Sequence, residues 1–180
     1  MADTNIFKKD LFRYYGGKES IRRRLLRPLD LKYLYYFRKA SGKKSIFYPY
    51  YKWMVRRLSD KTHIQIPVGT QIGEGLFLGH IGRVIVNQDA VIGCNVNLGT
   101  GVTIGQENRG KRKGCPVIGN EVWIGTNAVV VGNITIGDDV LIAPLAYVNF
   151  DVPSHSIVVG NPGRIITVTD ATGEYINRKV

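Results

Sequence analysis

Cysteine, histidine, methionine and tryptophan are all scarce in this chain, and long apolar runs are missing. Of 180 residues, two are cysteine and three are histidine. Cys94 and Cys115 are too few and too irregularly placed for a disulfide framework. Free thiols suit a reducing compartment, where each packs as a small apolar side chain. No apolar stretch approaches the ~20 residues needed to cross a bilayer. Met1–Lys9 lacks the apolar core of a secretory signal, so a cytoplasmic protein is expected. The length suits one sizeable domain with room for a small second unit.

Acidic residues are scarce in one part only. Residues 1–62 hold 17 Lys/Arg against 5 Asp/Glu, and residues 63–180 hold 8 against 9. The net charge of +11 therefore belongs to the N-terminal third. Eight of the ten tyrosines fall there, beside Phe7, Phe12, Phe37, Phe47 and Trp53. The pattern predicts helices over about Asn5–Tyr15, Ser20–Ala40 and Phe47–Ser59, punctuated by Gly16-Gly17, Pro28, Gly42 and Pro49. Ile21–Arg27 and Tyr51–Arg57 alternate basic and apolar groups. Two readings of residues 1–62 stand open. A basic face with interfacial aromatics suits an anionic membrane, which would hold the protein peripherally at the inner face. Alternatively the helices pack on the rest of the molecule and on a partner copy. No recognition motif supports a nucleic-acid partner.

From residue 63 onward the chain is a repeat. Ile, Leu or Val recurs every six positions at Ile66, Ile72 and Leu78, then Val86, Ile92, Leu98 and Ile104, then Ile118, Ile124, Val130, Ile136, Ile142 and Val148. A small residue, most often glycine, follows most of them, and small or β-branched residues stand four positions on. A period of six is neither helical nor a plain strand alternation. It predicts short strands joined by tight corners, three to a coil, each aliphatic pointing inward onto its copy one coil away. Glycine near a corner is expected for its freedom of backbone angle. The register slips by two residues between Leu78 and Val86, and by eight between Ile104 and Ile118. The second slip predicts a polar, basic loop over residues 106–115. Residues 63–166 thus form the coil and residues 167–180 a C-terminal tail.

This array, closed by Gly160-Asn-Pro-Gly-Arg164, resembles the hexapeptide-repeat acyltransferases, and their serine acetyltransferase branch in particular. The matching stretches are Gly75-Leu-Phe-Leu-Gly-His80, Gly101-Val-Thr-Ile-Gly105, Cys115-Pro-Val-Ile-Gly119 and Gly160–Arg164. The resemblance covers about residues 64–166. It implies a left-handed parallel β-helix, a homotrimer, and acetyl-CoA as acyl donor in a groove between subunits, with no metal.

The resemblance puts the catalytic base at His80, and the sequence agrees: His80 stands at a corner just before the two-residue slip. An imidazole can take a proton near neutral pH. Three hexads per coil stack Leu78, Leu98, Ile124 and Ile142, which aligns the corner residues His80, Thr100, Thr126 and Pro144. Thr126 and Pro144, with Gly105 and Gln106, match positions along the CoA arm, and Arg164 matches one near its nucleotide. A backbone N–H near Gly99–Gly101 is a candidate oxyanion donor. Arg109, Lys111, Arg112 and Lys113 could hold phosphates or an acidic acceptor.

The departures bear on the acceptor. The carboxylate that orients the histidine in serine acetyltransferases stands fifteen residues before it, where this chain has Gln65; the aspartate directly before it is Gly79; the loop's Arg-His-Pro is Gly114-Cys115-Pro116. Lacking those charges, the site is expected to take a saccharide hydroxyl of a surface polysaccharide or its precursor. The alternatives are serine itself, a non-catalytic structural β-helix, and a zinc enzyme of the γ-carbonic anhydrase kind. The last needs three histidines round one metal, whereas His63, His80 and His155 are spread along the array.

Overall fold

The computed structural model describes residues 2–17, 28–42 and 45–180. The basic run Ile21–Arg27 and the start of the expected second helix lie outside them. Three helices are described: α1 (Ala2–Tyr15), α2 (Leu29–Ser41) and α3 (Tyr48–Thr62). Pro28 borders α2, and Pro49 falls in the first turn of α3, so it opens that helix rather than breaking it.

Fifteen strands, β1–β15 in chain order, follow. The first sheet stacks β1 (Ile64–Gln65), β4 (Val84–Val86), β7 (Thr103–Gly105), β10 (Val129–Val131) and β13 (Tyr147–Val148). The second stacks β2 (Gln71–Ile72), β5 (Val91–Ile92), β8 (Val117–Ile118) and β11 (Thr135–Ile136). The third stacks β3 (Phe77–Leu78), β6 (Asn97–Leu98), β9 (Val122–Ile124), β12 (Val140–Ile142) and β14 (Ser156–Val159), with β15 (Arg164–Thr167) added antiparallel. The chain visits the three sheets in turn, and β1 to β14 pair in parallel. This is a left-handed parallel β-helix of about five turns behind a helical segment.

The hexad is visible in the register. Val86, Ile104, Val130 and Val148 stack in the first sheet, Ile72, Ile92, Ile118 and Ile136 in the second, and Leu78, Leu98, Ile124, Ile142 and Val158 in the third. All of these but the half-buried Ile72 are buried. The second series, Ala90, Val96, Val102, Val122, Ala128, Ile134, Val140, Ala146 and Val152, is buried with them. Each such Leu, Ile or Val side chain stabilises the fold by about 1.5–3 kcal/mol through burial.

The hexad glycines have a different cause from the one expected. Their φ angles are not left-handed; what most of them lack is room, Gly79 being an exception. A Cβ on Gly93 would sit 2.5 Å from the Gly119 carbonyl oxygen one coil above. The left-handed positions lie two residues further on, at Gly75 (φ 74°), Asn95 (57°), Glu121 (55°) and Asp139 (52°), stacked at one corner.

The helices cap the open edge of the first coil. A strand edge leaves backbone groups without partners, and polar side chains supply them here. Tyr33 Oη donates to the Ile66 carbonyl and accepts from its N–H, both at 3.0 Å. Tyr14 Oη does the same at Leu78, at 3.0 and 2.8 Å. Arg38 donates to the carbonyls of Ile72 and Gly73 at 2.7 and 2.6 Å. Asp10 accepts from Leu76 N–H at 2.9 Å, and Arg13 donates to the Gly75 carbonyl at 2.9 Å.

The tail is a strap along the third sheet. The Asp139 carboxylate accepts from Thr172 Oγ1 at 2.6 Å, Thr172 N–H at 3.0 Å and Ala171 N–H at 3.0 Å, with His155 Nδ1 at 2.9 Å. The tail then runs back past Trp123, whose ring lies 5.1 Å from that of Tyr175, to α1, where Arg13 donates to the Asn177 carbonyl at 2.9 Å. Burial alone would raise the pKa of Asp139, but the bonds from Thr172, Ala171 and His155 outweigh it and pull the pKa down to about 2. The side chain is only 12% exposed, so the shift from the ordinary value represents about 2 kcal/mol. A depressed carboxyl pKa stabilises above the unfolded value and stops doing so as pH falls through the folded one. Asp139→Asn is therefore expected to lower Tm by several degrees at pH 7. The gap to the parent protein should narrow as thermal melts are moved from pH 5 towards pH 2. A constant gap would contradict this account of the strap.

Candidate active site

Five strands of the third sheet end at one corner, and the first sheet begins beyond it. The paired strand ends place Gly79-His80 below Gly99-Thr100, then Gly125-Thr126, then Ala143-Pro144. Backbone hydrogen bonds climb the column: Gly79 N–H to Leu98 O at 3.4 Å, Gly99 N–H to Ile124 O at 2.8 Å and Gly125 N–H to Ile142 O at 2.8 Å. Three steps at the spacing of paired strands span about 14 Å. His80, Thr126 and Pro144 are exposed, and so are the apolar Ile81 and Leu145 beside them. The turn Gly160–Gly163, which leads to Arg164, sits at the top of the same corner: Tyr147 N–H donates to Gly160 O at 3.1 Å and Gly163 N–H to Tyr147 O at 3.0 Å. The stacking expected from the hexad count is thus the observed one.

The strand that carries His80 is held firmly. Tyr14 grips both backbone groups of Leu78 and packs its ring 4.4 Å from that of Phe77. The corner beyond is the site of the two-residue slip, where residues 79–83 bulge between β3 and β4.

The loop residues lie elsewhere in the chain. Gly105 ends β7, and the loop over residues 106–115 leaves the corner between the first and second sheets. It is closed by a bridge between Glu107 and Gly114 and contains one short turn, Gly110–Arg112. Gln106 accepts from Asn87 Nδ2 at 3.2 Å and donates to Asn108 at 2.6 Å. Arg109, Lys111, Arg112 and Lys113 are exposed. Within one chain these residues and the His80 column occupy different corners. Burial pushes the Cys115 thiol up, and Asp89 adds to it, so Cys115 is no activated nucleophile.

Gln65 lies in β1 on the first sheet and lines a cavity with Lys52, Arg56 and Gln88. No hydrogen bond joins it to His80 among the described residues. His63 caps α3 and His155 pairs with Asp139 at another corner, so the three histidines do not converge. Sequence reasoning missed Asp30 altogether. It stands in the first turn of α2, is buried, and interacts electrostatically with His80. A lone acid in a basic segment gave no signal of that position.

Among the described residues of the helical segment, two arginines and several aromatics turn inward. Arg13, Tyr33, Phe37 and Arg38 are buried, whereas Phe47, Tyr50 and Trp53 are exposed on and beside α3, with the Arg57 guanidinium 5.4 Å from the Trp53 ring centre. Among the described residues no helix is long and apolar enough to cross a membrane.

Fold, repeat and corner column are those of a hexapeptide-repeat β-helix, and the family described as "Bacterial transferase hexapeptide (six repeats)" matches residues 115–149. Within that class the likeness is to serine acetyltransferases in particular. The enzyme of Helicobacter pylori is 41% identical over 106 residues, which are 59% of this chain and 62% of that protein. The solved serine acetyltransferase of Neisseria gonorrhoeae in complex with serine superposes with a TM-score of 0.73 at 28% identity, covering 92% of this chain and 69% of that one. That of Brucella abortus in complex with coenzyme A gives 0.74 at 25% identity, covering 92% and 68%. The chain spans 35–62% of the length of the first curated relatives it matches. None of these relatives supports the saccharide acceptor expected from the sequence; serine fits them better.

Proposed function

We propose that this protein is an acetyl-CoA-dependent O-acetyltransferase whose base is His80 and whose acceptor is serine. The observation that carries the reading is the column of exposed corners with His80 at its foot and Thr126 and Pro144 above it. Coenzyme A is bound by one structural neighbour and serine by another, which supports both substrates.

The chemistry follows from the placement. His80 takes the proton of the acceptor hydroxyl as its oxygen attacks the thioester carbonyl carbon. The tetrahedral oxyanion forms; at Gly99–Gly101 the N–H groups of Gly99 and Gly101 already donate to Ile124 O and Arg83 O, which leaves the Thr100 N–H as the candidate donor. The C–S bond then breaks, the sulfur takes the proton held by His80, and acetyl ester and CoA leave. Gly105, Gln106 and the loop cations Arg109, Lys111 and Arg112 are too far round the coil to serve the same chain's His80. In a homotrimer a neighbouring copy would supply them, and its contact would cover Ile81 and Leu145.

A second reading has one observation behind it: Gln65, Gly79 and Cys115 are uncharged where the resemblance expects groups for an amino acid. That favours a neutral hydroxyl, such as a sugar's. Thiol release from acetyl-CoA, measured with serine and with a panel of nucleotide- and lipid-linked sugars, separates the two. Serine-dependent release is expected. Release with sugars alone would transfer the proposal to the second reading, and no acceptor-dependent release would end both.

A further inference from the structure

The base proposed above lacks the carboxylate that the matched position would have supplied, because Gln65 is uncharged and turned to another cavity. The structure holds a replacement on a different element. Asp30 is only 6% exposed, at the start of α2. The backbone N–H groups of Asp30 and Leu31 hold its pKa down, yet Oδ1, fully shielded, has no hydrogen-bond partner among the described residues. A buried carboxylate oxygen left unpaired is destabilising, so such a group calls for a donor.

Helix α1 bridges the element that carries that oxygen and the strand that leads to His80. α1 packs on both α2 and β3. Tyr14 of α1 holds Leu78, two residues before His80, and Tyr14 also feels the Asp30 charge. Burial raises the pKa of Asp30, neighbouring backbone N–H groups oppose this, and His80 is the side chain that opposes it too. His80 is thus the side chain whose field reaches Asp30, and its ring carries the N–H that Oδ1 lacks.

We propose that Asp30 is the positioning residue of His80: its buried Oδ1 accepts a ring N–H of the imidazole, fixes the tautomer, and leaves the other ring nitrogen free to take the acceptor's proton. This rests on His80 being the base. A carboxylate behind an imidazole does two things. It selects the tautomer, and it stabilises the imidazolium formed when the proton is taken. Here the group comes from a helix rather than from the first strand of the coil, which explains how a chain with Gln65 in that place can keep an oriented base.

The test uses the full chain, with Asp30→Asn and Asp30→Glu. In 15N-histidine-labelled protein, His80 is assigned by its loss in His80→Ala. The parent ring is expected to show one neutral tautomer, Asp30→Asn a mixture, and Asp30→Glu recovery of the single form. In the thiol-release assay kcat should fall about 10–100-fold in Asp30→Asn, with KM for acetyl-CoA unchanged. An unchanged tautomer in Asp30→Asn would overturn the proposal. So would a rise in KM for serine at unchanged kcat, since Asp30 would then be a substrate contact. The tautomer readout needs no turnover, so it decides the role of Asp30 even if the acetyltransferase reading fails.

Discussion

The His80→Ala protein is expected to release CoA from acetyl-CoA about 10²–10⁴-fold more slowly than the parent chain with serine present, the range a positioned general base contributes. The effect should fall on kcat and leave CoA binding by calorimetry intact, because the groups proposed to meet the pantetheine arm are backbone and side chains of Thr126 and Pro144. The coil should still form: His80 is exposed at a corner and the strand before it is held by Tyr14 at Leu78, not by the imidazole. A His80→Ala protein with full serine-dependent turnover would remove the base from the mechanism and leave the column of corners without a chemical role.

The coil was legible in the sequence because its inward positions obey one rule. Every hexad aliphatic meets a copy of itself one coil away, so only Ile, Leu or Val is admitted, and a period of six survives both register slips. The corner column followed from counting three hexads to a coil, and the pairing of Leu78, Leu98, Ile124 and Ile142 confirms it. The cap was not legible. Tyr14, Tyr33, Arg38, Asp10 and Arg13 answer backbone groups of strands 33 to 66 residues away, or thereabouts, and no local period marks a residue chosen for such a distant partner. The glycines misled for a related reason. At most of them the constraint is an atom of the next coil, which a single hexad does not display. Asp30 was hidden twice over, as a helical residue in a basic segment serving a corner of the coil.

The second large effect is expected at the cap. Arg38 and Asp10 form an ion pair at 2.8 and 3.0 Å whose side chains are 5% and 0% exposed. Arg38→Met removes one buried charge and leaves the other, together with two uncapped carbonyls at Ile72 and Gly73. Breaking such a pair from one side costs about 3–5 kcal/mol. At the ~2–4 °C per kcal/mol of a domain this size, Tm should drop by about 10 °C. Burial already holds the Asp10 carboxyl above its ordinary pKa, with Arg38 opposing it. Without the guanidinium the folded state keeps a proton that the unfolded chain gives up. A raised folded pKa favours the folded state at low pH and ceases to do so as pH rises through it, so Arg38→Met should be less destabilised in urea melts at pH 4.5 than at pH 7.5. Asp10→Leu/Arg38→Met loses both charges at once. It should be more stable than the two single effects added together predict, by about 1–3 kcal/mol. Exact additivity, or a penalty that does not grow with pH, would mean that the pair is incidental to the cap and that the edge of the first coil is held by Tyr14 and Tyr33 alone.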